Sequence, residues 1–229
     1  MSRLTSINHE QGEVILNEGN LSTKQRILDE ALTLFSERGY EPVTVAEIAK
    51  AVGVKAPALY KHYKSKRDIF NAILVKMKTS YDMQAASMQM DGRDAGKDQS
   101  LYIDVSEDIT VERSVQLFLY FLHDDNECKF RKMLTLEQYG DKNLAAVYAK
   151  QYVDFPLSYQ SALFGYMVGT GVTIPENPQI MALQYYAPVY LYLRLCDRQP
   201  EREAEAITAL EQHFRQFIKL YSNKGESAL

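Results

Sequence analysis

The chain has 229 residues, of which 46% are hydrophobic and 24% are charged, a composition typical of a folded globular protein. Its formal net charge of −4 excludes a uniformly basic nucleic-acid binder. The two cysteines, Cys128 and Cys196, lack metal-ligand spacing, and we expect neither a metal nor a cofactor. No apolar run reaches the ~18 residues of a membrane span, and no signal-peptide pattern opens the chain. We therefore expect a cytoplasmic protein without a membrane partner.

The charge is unevenly distributed along the chain. Residues 22–70 contain nine Lys and Arg against six Asp and Glu, so the remainder carries an excess of seven acids. This distribution is typical of a basic nucleic-acid-binding head attached to an acidic body. We predict three parts: an N-terminal arm that is polar and flexible, a DNA-binding domain, and a regulatory and dimerisation domain, over residues 1–21, 22–67 and 68–229.

The first predicted helix begins at Ser22 or Thr23 and runs to about Arg38. Gly39 ends it, because glycine tolerates the backbone conformation that follows many helices. Its apolar stripe repeats at helical spacing and comprises Ile27, Leu28, Ala31, Leu34 and Phe35.

The next stretch predicts two short helices joined by a tight turn. Thr44 and Glu47 have the spacing of a capping box at the first helix, and Gly53 occupies the turn. The second helix places Leu59 and Tyr63 inward. Two short helices with such a turn are typical of a helix-turn-helix.

The second short helix and the turn after it are strongly basic. No acidic residue occurs between positions 55 and 67, so an exposed helix here would gain affinity by neutralising DNA phosphates. Ser65 and Asp68 resemble a second capping box, at the start of the next helix. The positive side chains are Lys55, Lys61, His62, Lys64, Lys66 and Arg67.

The rest of the chain predicts helices without a convincing strand pattern, and the fold class is therefore all-α. Pro156 should kink or break one long helix, because proline lacks the N–H of the helical hydrogen bond. We predict a polar, disordered loop over residues 91–99 and helix ends at Gly169 to Gly171. The predicted helices cover about 68–90, 110–122, 127–138, 141–169, 178–196 and 201–222.

With these residues in view, the chain resembles the TetR (tetracycline repressor) family of bacterial transcription regulators. The match runs from Arg26 to Phe70, about a fifth of the chain. It includes Phe35, Gly39 and Tyr40, the capped Thr44, an Ile-Ala pair, a Gly-Val pair, Leu-Tyr-x-x-aromatic and Lys-Ser-Lys.

The resemblance implies a nine-helix subunit, with three helices in the head and six in the body. It also implies a homodimer formed by the last two helices, and release of operator DNA when a small molecule enters the body. One position departs from the family pattern. Lys55 replaces the Ser or Thr that often caps the recognition helix, and Pro57 instead pre-sets the start of that helix.

On this interpretation the helix over about 56–62 lies in the major groove of double-stranded DNA. Lys55 would donate to guanine, and Tyr60 would contact a thymine methyl group or a phosphate, although packing within the head is an alternative for Tyr60. Ala56 and Ala58 would allow close approach. The expected phosphate contacts are Thr44, Lys61, His62 and Lys66.

The body is rich in Tyr, Phe and Met, which suits an apolar or aromatic ligand held by a few polar groups. The alternative is that these side chains form plain core. Glu137 would pair with a cationic group of the ligand or face water. The candidate pocket residues are Met77, Tyr81, Phe118, Phe121, Met133, Glu137, Tyr152, Phe155 and Tyr159.

The last two helices carry apolar faces that a second copy of the chain would bury self-complementarily. Dimerisation would place two heads about 34–36 Å apart, on successive major grooves of a palindromic operator. The predicted interface residues are Tyr185, Tyr186, Val189, Leu193, Ile207, Leu210, Phe214 and Phe217.

Two alternative functions remain for this sequence, an enzyme and a DNA-binding regulator without a small-molecule effector. An enzyme is disfavoured, because no catalytic residues are evident and the glycines at 165, 169 and 171 follow a helix and lack a P-loop lysine. The second alternative keeps the DNA-binding head, but its body would bind a protein partner or only dimerise. A solid core in the body would favour that alternative.

Overall fold

The computed structural model describes residues 21–103 and 105–223, which leaves the predicted arm outside the described residues except for Leu21. The predicted all-α fold is confirmed within these ranges, where the only β contact is an isolated bridge between Thr173 and Ser222. Short 3-10 turns cover Gln99–Tyr102 and Pro200–Arg202. The helices are α1 Thr23–Arg38, α2 Val45–Val52, α3 Ala56–Tyr60, α4 Lys66–Ser87, α5 Ala95–Asp98, α6 Glu107–His123, α7 Asp125–Glu137, α8 Lys142–Ala149, α9 Phe155–Gly169, α10 Pro178–Cys196 and α11 Glu203–Tyr221.

Helices α1 to α3 form the head, and their ends follow from local sequence. Ser22 caps α1 in a reciprocal box: its hydroxyl accepts from the Gln25 N–H at 3.3 Å, and the Gln25 side chain accepts from the Ser22 N–H at 3.0 Å. Gly39 ends α1 with a φ of +86°, and its N–H donates to the Phe35 carbonyl. The predicted start and end of this helix are confirmed.

The core of the head continues into the body without a break. Buried residues of α1 to α3 share one apolar cluster with Met77 of α4 and Met133 of α7. Both methionines are 2% exposed or less and pack at this junction. Because protein interiors are close-packed, a shift of α4 or α7 is transmitted to the helices of the head. The other body members of this cluster are Ile69, Phe70, Ile73, Phe130, Leu134, Leu144, Tyr148 and Tyr152.

The start of α4 differs from the predicted capping box. The Ser65 hydroxyl accepts from the Asp68 N–H at 3.1 Å, as expected of a cap. The Asp68 carboxylate, however, accepts from the Lys64 N–H rather than from the N–H of the cap residue. The helix therefore begins at Lys66, and it ends at Ser87, three residues before the predicted end.

The segment after α4 was predicted to be a disordered loop, and that prediction is wrong. Asp98 is buried there, and its carboxylate accepts from the N–H groups of Asp91 and Gly92 at 2.7 and 2.8 Å. The same carboxylate accepts from the Tyr159 hydroxyl at 2.6 Å. A single buried acid thus folds this polar segment into short helical turns against α9.

The predicted break at Pro156 is instead a π-helical turn, Lys150–Asp154, that joins α8 to α9. Proline has no N–H to donate to the carbonyl four residues earlier, which belongs to Tyr152. That carbonyl accepts from the hydroxyl of Tyr186 on α10, at 2.8 Å. A side chain from a neighbouring helix therefore satisfies the freed backbone group, and the helix continues. With α8 and α9 counted as one interrupted helix, the described body contains six long helices.

The predicted dimer residues of α10 and α11 pack inside the subunit, which corrects their assignment. Leu193, Leu210, Phe214 and Phe217 are buried against other helices of the same chain. Tyr185, Val189 and Ile207 pack against the same clusters, and Tyr186 donates to α9 as described above. Apolar side chains that are exposed lie elsewhere on these two helices, at Ile180, Leu183, Leu191 and Leu220.

Candidate DNA-binding head and ligand cavity

The turn between α2 and α3 has the geometry that the sequence predicts. The Thr44 hydroxyl accepts from the Glu47 N–H at 3.2 Å, and the Glu47 carboxylate accepts from the Thr44 N–H at 2.8 Å. These hydrogen bonds lower the pKa of Glu47 to about 2, with further help from Arg38. Gly53 is left-handed, with φ +77° and ψ +28°, a conformation that a residue with a Cβ adopts at a cost. The capped helix and its turn therefore position α3.

Helix α3 presents most of its predicted DNA-binding residues to solvent. Leu59 is buried and fixes the helix to the head, whereas the Tyr60 side chain is 51% exposed. Lys55 caps the helix without a side-chain hydrogen bond. Lys55, Lys61 and His62 are also exposed. The alternative that Tyr60 packs within the head is not favoured by this exposure.

The start of α3 is narrow and accessible. Ala56 and Pro57 form the first helical positions, with Pro57 exposed and Ala56 half-buried. Alanine and proline present little side-chain bulk, so another surface can approach the backbone here. The helix proper ends at Tyr60, and Lys61 and His62 follow in a tight turn whose N–H groups still donate back to Ala58 and Leu59.

Two of the predicted phosphate contacts are engaged within the protein. The Lys66 ammonium donates to the carbonyls of Tyr40 and Glu41, each at 2.9 Å, and lies 4.3 Å from the centre of the Tyr40 ring. Its side chain is 22% exposed. The Thr44 hydroxyl donates to Glu47 at 2.8 Å. Their phosphate-contact roles stay predictions, and either contact would require these internal hydrogen bonds to be shared or broken.

A cavity of about 100 Å³ lies inside the body. It is enclosed by α4, α6, α9 and α10 together with the segment that follows α4. Its wall is mostly aromatic, with a few polar groups, as is typical of small-molecule sites. The lining residues are Tyr81, Met88, Met90, Arg93, Tyr102, Arg113, Ser114, Leu117, Phe118, Phe121, Gln151, Tyr152, Phe155, Pro156, Tyr159, Gln160, Tyr185, Tyr186, Val189, Leu193 and Phe214.

Six of the nine predicted pocket residues line this cavity: Tyr81, Phe118, Phe121, Tyr152, Phe155 and Tyr159. The other three do not. Met77 and Met133 belong to the core shared by head and body. Glu137 lies at the end of α7, where its carboxylate accepts from the Tyr40 N–H at 2.8 Å. The predicted role of Glu137 as a partner for a ligand cation is therefore wrong, because Glu137 connects the body to the head instead.

Sequence analysis missed the polar lining of the cavity and assigned part of its apolar wall to the dimer. Tyr185, Tyr186, Val189, Leu193 and Phe214 all line the cavity. Arg113, Ser114, Gln151 and Gln160 add polar groups to it. The sequence did contain a signal for this polar lining: a polar residue spaced three or four positions from apolar residues on one helix face. Gln160, between Pro156 and Leu163, is an example.

Five of the six tyrosines that line the cavity have a hydroxyl that is hydrogen-bonded to the surrounding protein. Tyr81 donates to the Gly92 carbonyl at 3.0 Å, and burial raises its pKa to about 12. Burial also raises the pKa of Tyr185, to about 12, and its hydroxyl shares a 2.6 Å hydrogen bond with Ser114. These hydroxyls stay neutral at physiological pH, and their rings face the cavity as apolar surface.

A buried acid lies directly behind the cavity wall. Glu127 on α7 is fully buried, and one of its oxygens accepts from the Tyr152 hydroxyl at 3.3 Å. Within the described residues its second oxygen and the Tyr120 hydroxyl have no hydrogen-bond partner. Burial raises the pKa of Glu127 to about 7, against the lowering effect of Arg131; Asp124 raises it further.

Replacement of Glu127 by glutamine should reduce the loss of stability that accompanies a rise in pH from about 4.5 to 8. The unfolded carboxyl ionises near its ordinary pKa of 4.5 and the folded one near 7. The folded state thus binds more protons between these values, so the contribution of Glu127 to stability falls as pH rises and levels off above 7. We expect the unfolding free energy of Glu127→Gln to gain about 2–3 kcal/mol over the wild type between pH 4.5 and 8. Urea unfolding at several pH values tests this.

The matched control removes an exposed negative charge with Glu112→Gln on α6. A constant difference between Glu127→Gln and the wild type at every pH would contradict the assignment to Glu127.

Two negative findings apply to residues 21–103 and 105–223. No group of three or more His, Cys, Asp or Glu side chains there is placed to hold a metal ion. No helix in those ranges is both long and apolar enough to cross a membrane.

The fold and the exposed α3 define a helix-turn-helix protein with a helical, cavity-containing body. Residues 27–73 match the family model described as bacterial regulatory proteins, tetR family. This match places the head of the chain in the TetR family. The family and the relatives below are transcriptional regulators and not enzymes.

One relative is the biofilm operon icaADBC HTH-type negative transcriptional regulator IcaR of Staphylococcus aureus (strain Newman). It is 49% identical over 47 residues, which are 20% of this chain and 25% of IcaR. The chain therefore spans about a quarter of the length of the curated relatives that it matches, and this quarter is the head.

Solved structures resemble the chain over most of its length. SmeT, the repressor of the Stenotrophomonas maltophilia multidrug efflux pump SmeDEF, matches in its triclosan complex with a TM-score of 0.63 and 17% identity, over 91% of this chain and 95% of SmeT. NalD, the secondary repressor of the MexAB-OprM pump in Pseudomonas aeruginosa, matches with a TM-score of 0.60 and 18% identity, over 89% and 97%. At these identities the likeness shows the fold.

Proposed function

We propose that the protein is a transcriptional repressor that binds a palindromic operator as a homodimer and is released by an apolar or aromatic small molecule. It would act in the cytoplasm, where DNA is available. The observation that carries the proposal is the exposed α3, which is flanked by the basic residues Lys55, Lys61 and His62 and is positioned by a capped helix and a left-handed glycine. That surface is built to enter a major groove.

In the proposed complex the exposed side chains of the head divide into two roles. Lys55 at the start of α3 would donate to guanine, and Tyr60 would contact a thymine methyl group or a phosphate. Lys61 and His62 would bind phosphates, which position the head without reading sequence. The small side chains of Ala56 and Pro57 allow the backbone to come close to the DNA.

Replacement of Lys55 by alanine should change the DNA sequence preference of the protein more than its overall affinity for DNA. Because the Lys55 side chain makes no capping hydrogen bond, its removal should leave the head folded. We expect discrimination at one base position to fall by about 1–3 kcal/mol. The matched variant Lys61→Ala should weaken binding to all sequences and reduce the salt dependence by about one counterion. Binding titrations on operator variants at several salt concentrations measure both effects, and identical effects of the two variants would contradict this division.

The proposed homodimer would use the exposed apolar side chains of the last two helices. Ile180, Leu183 and Leu191 recur along α10, and Leu220 lies on α11. Two copies packed along these helices would bury this surface around a two-fold axis, as isologous dimers do. The residues predicted from sequence are not available for it, because they pack inside the subunit.

The cavity supports the proposed small-molecule effector. It is lined mainly by apolar and aromatic side chains, and the body is joined to the head through the shared core and the Glu137 to Tyr40 hydrogen bond. A ligand that moves α4 or α7 would therefore disturb the head. The solved triclosan complex of SmeT is a precedent on the same fold.

Selection of bound sequences from random DNA tests the proposal most directly. We expect a palindrome with two half-sites. A single, asymmetric half-site would contradict the dimer, and no enrichment at low salt would contradict DNA binding. Compounds that raise the thermal stability of the protein would then be screened for release of the selected DNA. If no compound does both, the alternative regulator without a small-molecule effector is supported.

A further inference from the structure

The charged groups that line the cavity are positive. Arg93 and Arg113 are on its wall, and no carboxylate is among its lining residues within the described parts of the chain. The charge of the cavity wall is therefore positive, whereas the sequence predicted a negative charge there, from Glu137. A ligand that enters this cavity therefore meets guanidinium groups, aromatic rings and amides.

Two buried acids lie behind tyrosines of the cavity wall. Asp98 accepts from the Tyr159 hydroxyl at 2.6 Å, and Glu127 accepts from the Tyr152 hydroxyl at 3.3 Å. In each pair the tyrosine lines the cavity and the acid does not. Neither acid presents a carboxylate to a ligand.

Few hydrogen-bond donors remain free for a ligand. The hydroxyls of Tyr81 and Tyr186 donate to backbone carbonyls, and that of Tyr185 pairs with Ser114. With the two tyrosines that face acids, five cavity tyrosines are thus engaged. The donors that remain on the wall belong to the Tyr102 hydroxyl, the two arginines and the amides of Gln151 and Gln160.

The two arginines are not equivalent. Arg93 is already paired with Asp82, and its guanidinium lies over the rings of Tyr81 and Phe155. Within the described residues, the one hydrogen bond of the Arg113 guanidinium runs from Nη1 to the Leu101 carbonyl, at 2.9 Å. Among residues 21–103 and 105–223, no carboxylate lies within 4.0 Å of its guanidinium. The Arg113 guanidinium therefore retains most of its five donors for a ligand.

We propose that the effector is an aromatic acid whose ring lies among Phe118, Phe121 and Phe155 and whose anionic oxygens are received by Arg113. The proposal rests on the effector-binding function above and adds its chemical class. A guanidinium holds a carboxylate through two parallel hydrogen bonds, and such pairs are stronger where water is excluded. Lysine would not supply this geometry.

The volume of the cavity limits the size of the ring system that an effector can carry. A cavity of 150 Å³ in another protein holds benzene, so about 100 Å³ admits one ring only with small side-chain movements. A second cavity of about 450 Å³ shares Tyr102, Gln160 and Tyr185 with the first. A larger ring system would extend toward it past these three side chains.

Calorimetric titration with benzoate, benzamide and benzylamine tests the proposal, because the three compounds match in size and differ in charge. Their 2-naphthyl counterparts repeat the test with a larger ring. We expect the wild type to bind each acid at least about tenfold more tightly than its amide, and the amine most weakly. The variant Arg113→Gln should lose this preference and keep its affinity for the amide.

Two further variants test whether Arg113 is the residue that receives the acid. Arg113→Lys retains the charge and should keep a reduced preference for the acid, even if the glutamine variant folds poorly. Arg93→Gln is the matched control and should keep the full preference, because Asp82 already pairs with Arg93. Loss of the preference in Arg93→Gln but not in Arg113→Gln would overturn the role of Arg113.

Release of the selected operator DNA separates this inference from the proposed function. If the amide or the amine binds and releases DNA while the acid does not, the aromatic-acid inference is overturned and the effector function remains. If none of the six compounds binds, the aromatic-acid inference is overturned, and the effector function is then decided by the compound screen described above.

Discussion

Replacement of Asp197 by alanine is expected to lower the free energy of unfolding by about 3–5 kcal/mol. Arg131 of α7 is 0% exposed, and its Nε and Nη2 donate to the Asp197 carboxylate at 2.6 to 3.1 Å. Its Nη1 donates to the Phe121 carbonyl at 2.7 Å. Without Asp197, the buried Arg131 guanidinium loses the carboxylate that pairs and hydrogen-bonds with it. Urea unfolding followed by circular dichroism measures the change.

Two controls distinguish a buried charge from lost contacts. Arg131→Met removes the charge itself and should cost less than Asp197→Ala, because it leaves no unpaired ion inside. Glu107→Ala breaks an exposed ion pair with Arg215 and should leave the unfolding midpoint nearly unchanged. A midpoint for Asp197→Ala equal to that of the wild type would contradict the account.

The double substitution Leu183→Glu and Leu191→Glu is expected to produce monomers and to reduce operator affinity by about 10²- to 10⁴-fold. Both leucines are exposed on α10, at 51% and 61%. Charges at these positions would be buried in the proposed two-fold contact, and each head would then bind its half-site without the gain from linkage to the other. Analytical ultracentrifugation and binding titrations measure the two effects.

A matched control exists on another helix. Leu136 on α7 is also 51% exposed, and Leu136→Glu should leave both the oligomeric state and the affinity unchanged. A dimer that survives the double substitution would contradict the proposed contact. If Leu136→Glu alone gave monomers, the interface would have to be placed at α7 instead.

The head could be predicted from sequence because the interactions that set its geometry are local. The Thr44 and Glu47 box spans four residues, and the left-handed turn needs only a glycine at position 53. Lys55 was not expected to cap α3, because an ammonium group has no acceptor for a backbone N–H. In the structure its side chain makes no capping hydrogen bond. Likewise, Ser22 and Gly39 mark the two ends of α1.

The cavity could be predicted only in part, because helical spacing does not say what an apolar face packs against. The stripe of Tyr185, Val189 and Leu193 fits a dimer contact and a cavity wall equally well in sequence. The structure turns it inward and leaves Leu183 and Leu191 outside. Glu137 illustrates the same limit, because its partner, the Tyr40 N–H, is 97 residues away in sequence.

The sequence by itself determined the all-α class, the helix-turn-helix and the basic surface of the head, since caps, turns and charges act over a few residues. Only the tertiary structure decided that the chain stays helical through the π-turn before Pro156. The Tyr152 carbonyl, which Pro156 leaves without an N–H donor, accepts from the hydroxyl of Tyr186 on α10. The tertiary structure also decided that arginines rather than a glutamate line the cavity. Such contacts join residues far apart in the chain, and helical periodicity does not specify which neighbour a side chain meets.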